Sequence, residues 1–337
     1  MNKTTLLLSA FIDKHITQAA KIIQQGGLVA LPTETVYGLA ANGLSADAVK
    51  AIYKAKNRPQ KNPLILHVSS INQALSLVDF QQNNLVKERF IKLSSLWPCA
   101  LTIIAKKSSL IPQEISYGLD TVAVRMPNHK ICLKVIELVG MPLAMPSANI
   151  STRPSSTCAQ HVISTLNSRI DAVLDAGECS LGLESTVVDI TNEKVIIARL
   201  GSFSKLEIEN CLEENVEMSL FNECNPISPG QAFLHYSPDV KKIIYITEKE
   251  LENYWFTDCS LLITQSQFDK KLALGKRTKS SFTICLPDSD DLYANSLYKS
   301  LYEFEKFFDK LLVIVEPTYE SGIWPAIKEK LLKASKK

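Results

Sequence analysis

Apolar positions along this chain follow two periods that alternate. Residues 4–12 are mostly apolar and predict a strand, while Ile12, Ile16, Ala19, Ala20 and Ile23 fall on one face of a helix over residues 13–25. Gly26-Gly27 ends that helix, because glycine accepts the left-handed cap. Leu28 to Leu31 is a short apolar strand stopped by Pro32. Ala46 to Lys56 has a helical pattern, and Leu64 to Val68, Leu101 to Ala105, Val122 to Arg125, Asp171 to Asp175 and Thr186 to Ile190 read as strands. This alternation predicts an α/β or α+β domain over residues 1–204.

The pattern then lapses. Residues 205–229 carry Glu207, Glu209, Glu213, Glu214, Glu217 and Glu223 against a single lysine and end in Asn-Pro-Ile-Ser-Pro, with Gly230 following. The first half fits a helix; the rest predicts a linker, since proline cannot continue regular structure. With His235-Tyr236-Ser237-Pro238 closing it, the linker is expected over 205–238, either as a plain tether between two cores or folding back as a lid over a ligand site of the first domain. Beyond it a second rhythm begins. Lys242 to Thr247, Ser260 to Thr264, Phe282 to Leu286 and Leu311 to Val315 are four short strands. Leu297, Leu301, Phe304 and Phe308 mark one helix face, and Ile327 and Leu331 another. A smaller α/β domain with a parallel sheet is predicted over 239–337.

Composition narrows the class. The chain has 337 residues, too many for one ordinary core, with 46% hydrophobic and 21% charged residues. A net charge of +2 argues against a globally basic nucleic-acid binder, though not against a local basic patch. The eight cysteines form no C-x-x-C pair and the histidines no zinc spacing, so reduced thiols in a cytoplasmic protein are expected. Leu6 to Ile12 is short for a signal peptide and lacks a small-residue cleavage site, and no apolar run approaches the ~20 residues that span a bilayer.

No G-x-x-x-x-G-K-[ST] loop, G-x-G-x-x-G, G-x-S-x-G or H-E-x-x-H is present. What recurs instead is an apolar strand whose end carries Thr, Ser, Asn or Arg. Pro32-Thr33-Glu34-Thr35-Val36-Tyr37-Gly38-Leu39 follows the strand at Leu31. Its hydroxyls suit either a ligand or the local backbone. Lys54 to Pro63 places four cations in eight residues: a solvated helix end, or a phosphate cradle built on Arg58 and Asn62 between two prolines. His67 ends one strand, where a lone histidine is more often structural than functional. Arg125 ends another and needs a partner, either an internal carboxylate or that of a ligand. Pro146-Ser147-Ala148-Asn149, with Ser151 and Ser155 after it, is a run of small hydrogen-bonding residues; Glu184-Ser185-Thr186 and Arg199 sit at further strand ends.

In this order the segments P-T-E-T-V-Y-G-L, K-x-R-P followed by N-P-L, V-A-V-R-x-P, P-S-A-N-x-S, E-S-T-V-V-D and P-G-x-x-x-x-H-Y-x-P resemble the YrdC family of threonylcarbamoyl-AMP synthases in its two-domain form. The resemblance covers essentially the whole chain. It implies a YrdC-like twisted mixed-sheet domain with a large electropositive concavity, followed by a smaller Rossmann-like domain. It implies a nucleotidyltransferase that makes threonylcarbamoyl-AMP and pyrophosphate from L-threonine, bicarbonate and ATP, with Mg²⁺ on the phosphates. The product would pass to a threonylcarbamoyl transferase complex acting on tRNA beside the anticodon, with a weak RNA contact at the concavity and no membrane contact. By the same resemblance Thr35, His67, Arg125, Met145 and Ser185 would hold threonine. Lys56, Arg58, Asn62, Thr121, Ser147, Ser155, Arg199 and Tyr236 would hold ATP, with Lys56, Arg58 and His67 nearest the chemistry. The chain departs from the family pattern at Cys99-Ala100 after Trp97-Pro98, at Thr152 after Ser151, and at Leu200 before Gly201. Carbamoyl transfer, as in multidomain hydrogenase-maturation proteins, would need zinc cysteines that this chain lacks. A non-catalytic RNA-binding module would not need Thr35 and Ser185.

Overall fold

A computed structural model describes residues 4–59, 62–218, 236–253, 259–273, 282–307 and 310–335. The described residues fall into two units, one of residues 4–151 and 155–218, the other of residues 152–154 and 236–335.

The first unit is built on one mixed sheet of eleven strands: β1 Leu6–Ser9, β2 Val29–Leu31, β3 Gly38–Asn42, β4 Ile65–His67, β5 Leu101–Lys106, β6 Thr121–Arg125, β7 Leu143–Ala144, β8 Ala172–Asp175, β9 Thr186–Asp189, β10 Val195–Arg199 and β11 Val216–Met218. Their spatial order is β1-β8-β2-β3-β7-β4-β6-β5-β9-β10-β11. Both faces are covered. On β2, Ala30 packs into the core under the helix Ala46–Lys56, while Val29 and Leu31 pack with Ile16, Ala20 and Ile23 of the helix Asp13–Gln24. A strand buried on both sides needs apolar residues at every position, hence the unbroken Leu28 to Leu31 run.

Two registers place the site. β4 and β6 run parallel with His67 opposite Arg125, so both side chains emerge where neighbouring strands end. β9 and β10 are antiparallel, with a register shift between Ile197 and Arg199. Such an irregularity re-aims the side chain that follows it, here Arg199.

The segment from 205 is not linker at its start. Lys205–Leu212 is a helix with a full capping box between Ser204 and Glu207, and β11 pairs in parallel with β10. Ile208, Leu212 and Val216 join the first unit's core. Its glutamates are tied to distant cations: Arg89, 5% exposed, donates to both carboxylate oxygens of Glu214 at 2.9 and 2.6 Å, Lys92 meets Glu213 at 2.8 Å and Lys194 meets Glu217 at 2.5 Å. The domain edge expected at residue 204 therefore lies beyond Met218. The rest of the expected lid, including Pro229-Gly230 and His235, lies outside the described residues.

A chain cut after Phe203 should accordingly fail to melt cooperatively, while one cut after Met218 should melt as a folded domain. The shorter cut removes three buried apolar side chains worth about 1.5–3 kcal/mol each, besides stranding Arg89. Differential scanning calorimetry of the two fragments checks this, and equal transitions would return the segment to the linker.

The second unit carries a four-stranded parallel sheet of β12 Lys242–Ile246, β13 Cys259–Thr264, β14 Phe282–Leu286 and β15 Leu311–Val315, in the order β12-β15-β13-β14. Helices Gln265–Ala273, Asp290–Phe304 and Trp324–Ser335 accompany it, and Ile246, Leu261, Ile263, Val313 and Val315 form its core. Residues 152–154 belong to this unit: Thr152 O accepts from Ser237 N at 2.9 Å, and Arg153 pairs with Asp239 at 3.0 Å and Glu305 at 2.5 Å. Among the described residues no helix is long and apolar enough to cross a membrane.

Candidate active site

Thr33 to Thr35 turns immediately after β2, and hydroxyls hold the turn. Thr33 Oγ1 donates to Val36 O at 2.6 Å, accepts from the backbone N–H groups of Thr35 and Val36, and lies 2.8 Å from Thr35 Oγ1. This fixes Thr35 Oγ1 toward the end of β6, where Arg125 Nη1 donates to it at 3.0 Å. Arg125 Nε donates to Cys99 O at 3.4 Å, so the substituted Trp97-Pro98-Cys99-Ala100 segment contributes a backbone carbonyl rather than its thiol. Burial pushes that thiol up to about 11, against the opposing pull of Arg125.

The partner that Arg125 required is internal. Glu34 Oε1 lies 2.7 Å from Arg125 Nη2, and the side chains are 7% and 4% exposed. The two are close but poorly aligned for a hydrogen bond, and neither Glu34 oxygen meets a hydrogen-bond donor among the described residues. Nothing in the residue pattern had singled out Glu34. The available signal was an acid set between two strand-end threonines.

His67 sits beside Arg125 by register and is buried, with Nδ1 lacking a partner among the described residues. Burial first, and then the charge of Arg125, holds the imidazole well below its usual range, with Arg199 acting in the same direction. The ring is therefore neutral at pH 7. Because the unfolded chain binds a proton near pH 6.5 that the folded chain refuses, stability is full above about pH 6.5 and falls as pH drops toward the folded value. Urea titrations of wild type and His67→Gln at both ends of that window should show the wild type losing more stability on acidification; parallel losses would contradict a buried neutral ring.

Ser185 and Arg199 form the next group. Arg199 donates from Nε and Nη2 to Ser185 O at 3.1 and 2.8 Å and from Nη2 to Ser185 Oγ at 3.0 Å, while Thr102 Oγ1 lies 2.7 Å from the same hydroxyl. Gly201 allows the approach. A Cβ there would stand 2.3 Å from Glu184 O, so the glycine after Leu200 keeps its steric reason although the residue before it departs from the family pattern. Ser155, fully buried, donates to Glu184 Oε1 at 2.6 Å and so joins this group.

The basic segment is less open than its sequence suggested. Lys56, the last residue of its helix, is 1% exposed, and Nζ donates to Ser147 O and Asn149 O, each at 2.5 Å. Burial, then the nearby Arg58, holds its amine well below the usual value. Asn57 caps the helix in the left-handed region, sending Arg58 inward, where Nε and Nη2 donate to Asn62 O at 3.4 Å and Pro63 O at 3.3 Å. Asn62 is buried with Oδ1 unpartnered among the described residues. Tyr53 braces the loop by donating to Asn62 O at 2.9 Å, its phenol pushed up to about 12 by burial. Gln60 and Lys61 lie outside the described residues.

Met145 is buried, and its N–H donates to Ile65 O at 3.1 Å; Thr121 opens β6, half-buried beside Pro63, Ile104 and Leu119. Ala148 N donates to Tyr37 O at 2.7 Å and Tyr37 N to Ser156 O at 2.8 Å, knitting the P-T-E-T-V-Y-G, P-S-A-N and Ser155 segments together. Thr152 has φ 77, a left-handed conformation that burdens a β-branched residue and that a glycine would adopt freely. Tyr236 belongs to the second unit. It is 1% exposed, its ring stacks on Tyr298 at 5.5 Å, and Lys330 Nζ lies 5.6 Å from its centroid. The aromatic face expected to cover a nucleotide is thus packed inside that unit.

Comparison with known proteins gives concordant matches. The family profile Sua5_yciO_yrdC, described as "Telomere recombination", matches residues 21–201, and one described as "Threonylcarbamoyl-AMP synthase, C-terminal domain" matches residues 203–336. A threonylcarbamoyl-AMP synthase of Pyrococcus abyssi is 35% identical over 94% of this chain and 93% of its own length. One of Bacillus subtilis is 34% identical over 96% and 93%. The crystal structure of P. abyssi Sua5 complexed with L-threonine superposes with a TM-score of 0.85 at 32% identity, covering 98% of this chain and 97% of that one.

Proposed function

Because this chain belongs to the Sua5–YciO–YrdC family over residues 21–201 and carries the family's C-terminal domain, we infer that it is a threonylcarbamoyl-AMP synthase, joining L-threonine, bicarbonate and ATP into threonylcarbamoyl-AMP and pyrophosphate. The observation that carries the assignment to this site is the buried Arg125 guanidinium, held by Thr35 and Glu34 with neutral His67 on the adjoining strand. Arg125 Nη2 makes no hydrogen bond among the described residues and can donate to a carboxylate, and Thr35 and Ser185 supply hydroxyls for the rest of an amino acid.

The reaction brings anions together. Threonine's amine first gives a carbamate; a carbamate oxygen then attacks the α-phosphorus in line, and the bond to pyrophosphate breaks. Carboxylate, carbamate and phosphates repel one another, so the protein's part is to offset that charge and hold the reacting atoms in line. On this reading Arg125 takes the threonine carboxylate, and Met145 and His67 wall the amino acid. Arg58 and Arg199 face the phosphates, and Asn62, Thr121, Ser147 and Ser155 seat the nucleotide. Mg²⁺ arrives on the phosphates as part of the ATP substrate. Lys56 acts through Ser147 and Asn149, whose carbonyls hold its ammonium. The product, a labile mixed anhydride, is consumed by a tRNA-directed threonylcarbamoyl transferase in the cytoplasm.

Pyrophosphate release tests this reading. It should require ATP, threonine and bicarbonate together, and threonine amide should fail because it lacks the carboxylate. Release indifferent to threonine would remove the assignment; release with the amide would remove Arg125 from its role.

A further inference from the structure

Glu34 has no part in the mechanism above, yet its carboxylate is buried among the groups that mechanism uses. Arg125 compensates its charge, but both of its oxygens lack a hydrogen-bond donor among the described residues. A buried carboxylate normally accepts several N–H or O–H bonds, since each lone pair removed from water and left bare costs free energy. Arg125 shows the complementary feature. Its Nη1 donates to Thr35 Oγ1, while Nη2 makes the ion pair without making a hydrogen bond. An unsatisfied acceptor therefore stands beside an unsatisfied donor in one buried site. An α-amino acid carries the matching groups on a single carbon, an ammonium beside a carboxylate.

We propose that Glu34 receives the ammonium of the amino-acid substrate and is the base that takes its proton before the carbamate forms. This rests on the threonylcarbamoyl-AMP synthase reading. One ammonium N–H bond breaks, its electron pair stays on nitrogen, and the proton passes to a Glu34 carboxylate oxygen. The freed lone pair forms the N–C bond to the bicarbonate carbon. The C–OH bond then breaks, and the hydroxide leaves with a second N–H proton as water. The products are the carbamate, water and a protonated Glu34, which returns its proton to solvent before the next turnover.

His67 is the competing base in the site, and charge separates the two. Protonating His67 would add a cation beside Arg125 and Arg199, the direction burial and both guanidiniums oppose. Protonating Glu34 removes a charge just as the substrate carboxylate arrives to share Arg125. The other titratable groups that feel Glu34 are Cys99 ahead of β5, His129 and Cys132 at the start of the helix Lys130–Val139, and Cys179 after β8. Burial keeps the three thiols protonated at neutral pH, and His129 Nδ1 already accepts from Cys132 N as the cap of its helix, so none of them supplies a base.

The experiment is the pH dependence of threonine-dependent pyrophosphate release by the full chain, wild type against Glu34→Gln and Glu34→Asp, with ATP and bicarbonate saturating. Wild type should be level from about pH 7 upward, since the base that takes the ammonium proton is held in the site rather than supplied by solvent. Glu34→Gln should be slower at neutral pH by on the order of 10²-fold or more. Its rate should then climb about tenfold per pH unit as free threonine loses its own proton. Glu34→Asp should keep the level profile at a lower rate. A Glu34→Gln profile parallel to wild type, or lowered equally at every pH, would overturn the proposal. So would a wild-type profile that itself climbs with pH, and that observation needs no variant to fold. Wild type that releases no pyrophosphate with threonine would instead overturn the reaction assigned above.

Discussion

Arg125→Gln should abolish measurable threonine binding and melt well below the wild type. Both effects come from one guanidinium, and they can be separated. Arg125 and Glu34 are 4% and 7% exposed and 2.7 Å apart. Removing the cation alone leaves a carboxylate stripped of water without compensation, which costs about 3–5 kcal/mol. At about 2–4 °C per kcal/mol for a domain of this size, the melting temperature should drop by roughly 10 °C. The binding loss has another origin, the charge-assisted bonds to the substrate carboxylate. Losing a buried charge-pair partner costs about 2–5 kcal/mol, a factor from about thirty to several thousand in affinity. Arg125→Gln with Glu34→Gln removes both charges and leaves two amides that can bond each other. The double variant should recover most of the melting temperature and none of the threonine affinity. Calorimetric melting and threonine titration read the two effects independently. A single variant that melts with the wild type would show the pair contributes nothing to the fold; a double variant that binds threonine would show Arg125 does not hold the carboxylate.

That separation was not available from the sequence. An arginine ending an apolar strand demands a partner, and the residues alone left open whether the partner was a ligand or an internal carboxylate. Glu34 lies on a different strand end, and only the order of strands in the sheet brings it to β6. In the acidic stretch after residue 204 the helix was legible, but its attachment to the first unit was not, for the same reason. Six glutamates outnumber the single lysine of that stretch, and Glu214, Glu213 and Glu217 find Arg89, Lys92 and Lys194 at distances in sequence that no local pattern reports. The buried strands were legible because burial on both faces forces unbroken apolar runs, and the parallel second sheet was legible on the same ground. Strands β3 and β7 were not: Gly-Leu-Ala-Ala-Asn and Leu-Ala carry little intrinsic strand preference and are held by their neighbours in the sheet. Thr35, His67, Arg125, Ser185 and Arg199 were visible as polar residues at strand ends, and the structure sets Thr35 and His67 beside Arg125 and bonds Ser185 to Arg199.

Lys56 is where a residue of the right kind does a different task from the expected one, and Lys56→Met should show it. Its resemblance-based role faced the phosphates, but its ammonium reaches the carbonyls of Ser147 and Asn149, and its own carbonyl accepts from Ser151 N at 2.9 Å. The helix Ala46–Lys56 is thereby fastened to both ends of the Ser147 to Ser151 turn, which carries one proposed nucleotide contact and leads to another at Ser155. Methionine fills the same channel with a stem of similar length and donates nothing. Two inward-facing carbonyls then lose their donor at about 1–3 kcal/mol each, partly offset because an ammonium no longer has to be buried. Stability should therefore fall by a few kcal/mol, and ATP affinity should fall with it because the turn loses its position. Threonine affinity should hardly change, since Thr35 and Arg125 are fixed by bonds that do not involve Lys56. Melting curves with separate ATP and threonine titrations distinguish the outcomes. If ATP binding weakens while the melting temperature stays put, Lys56 reaches the phosphates itself; if threonine binding falls as far as ATP binding, the turn and the Arg125 cluster are one cooperative unit rather than two.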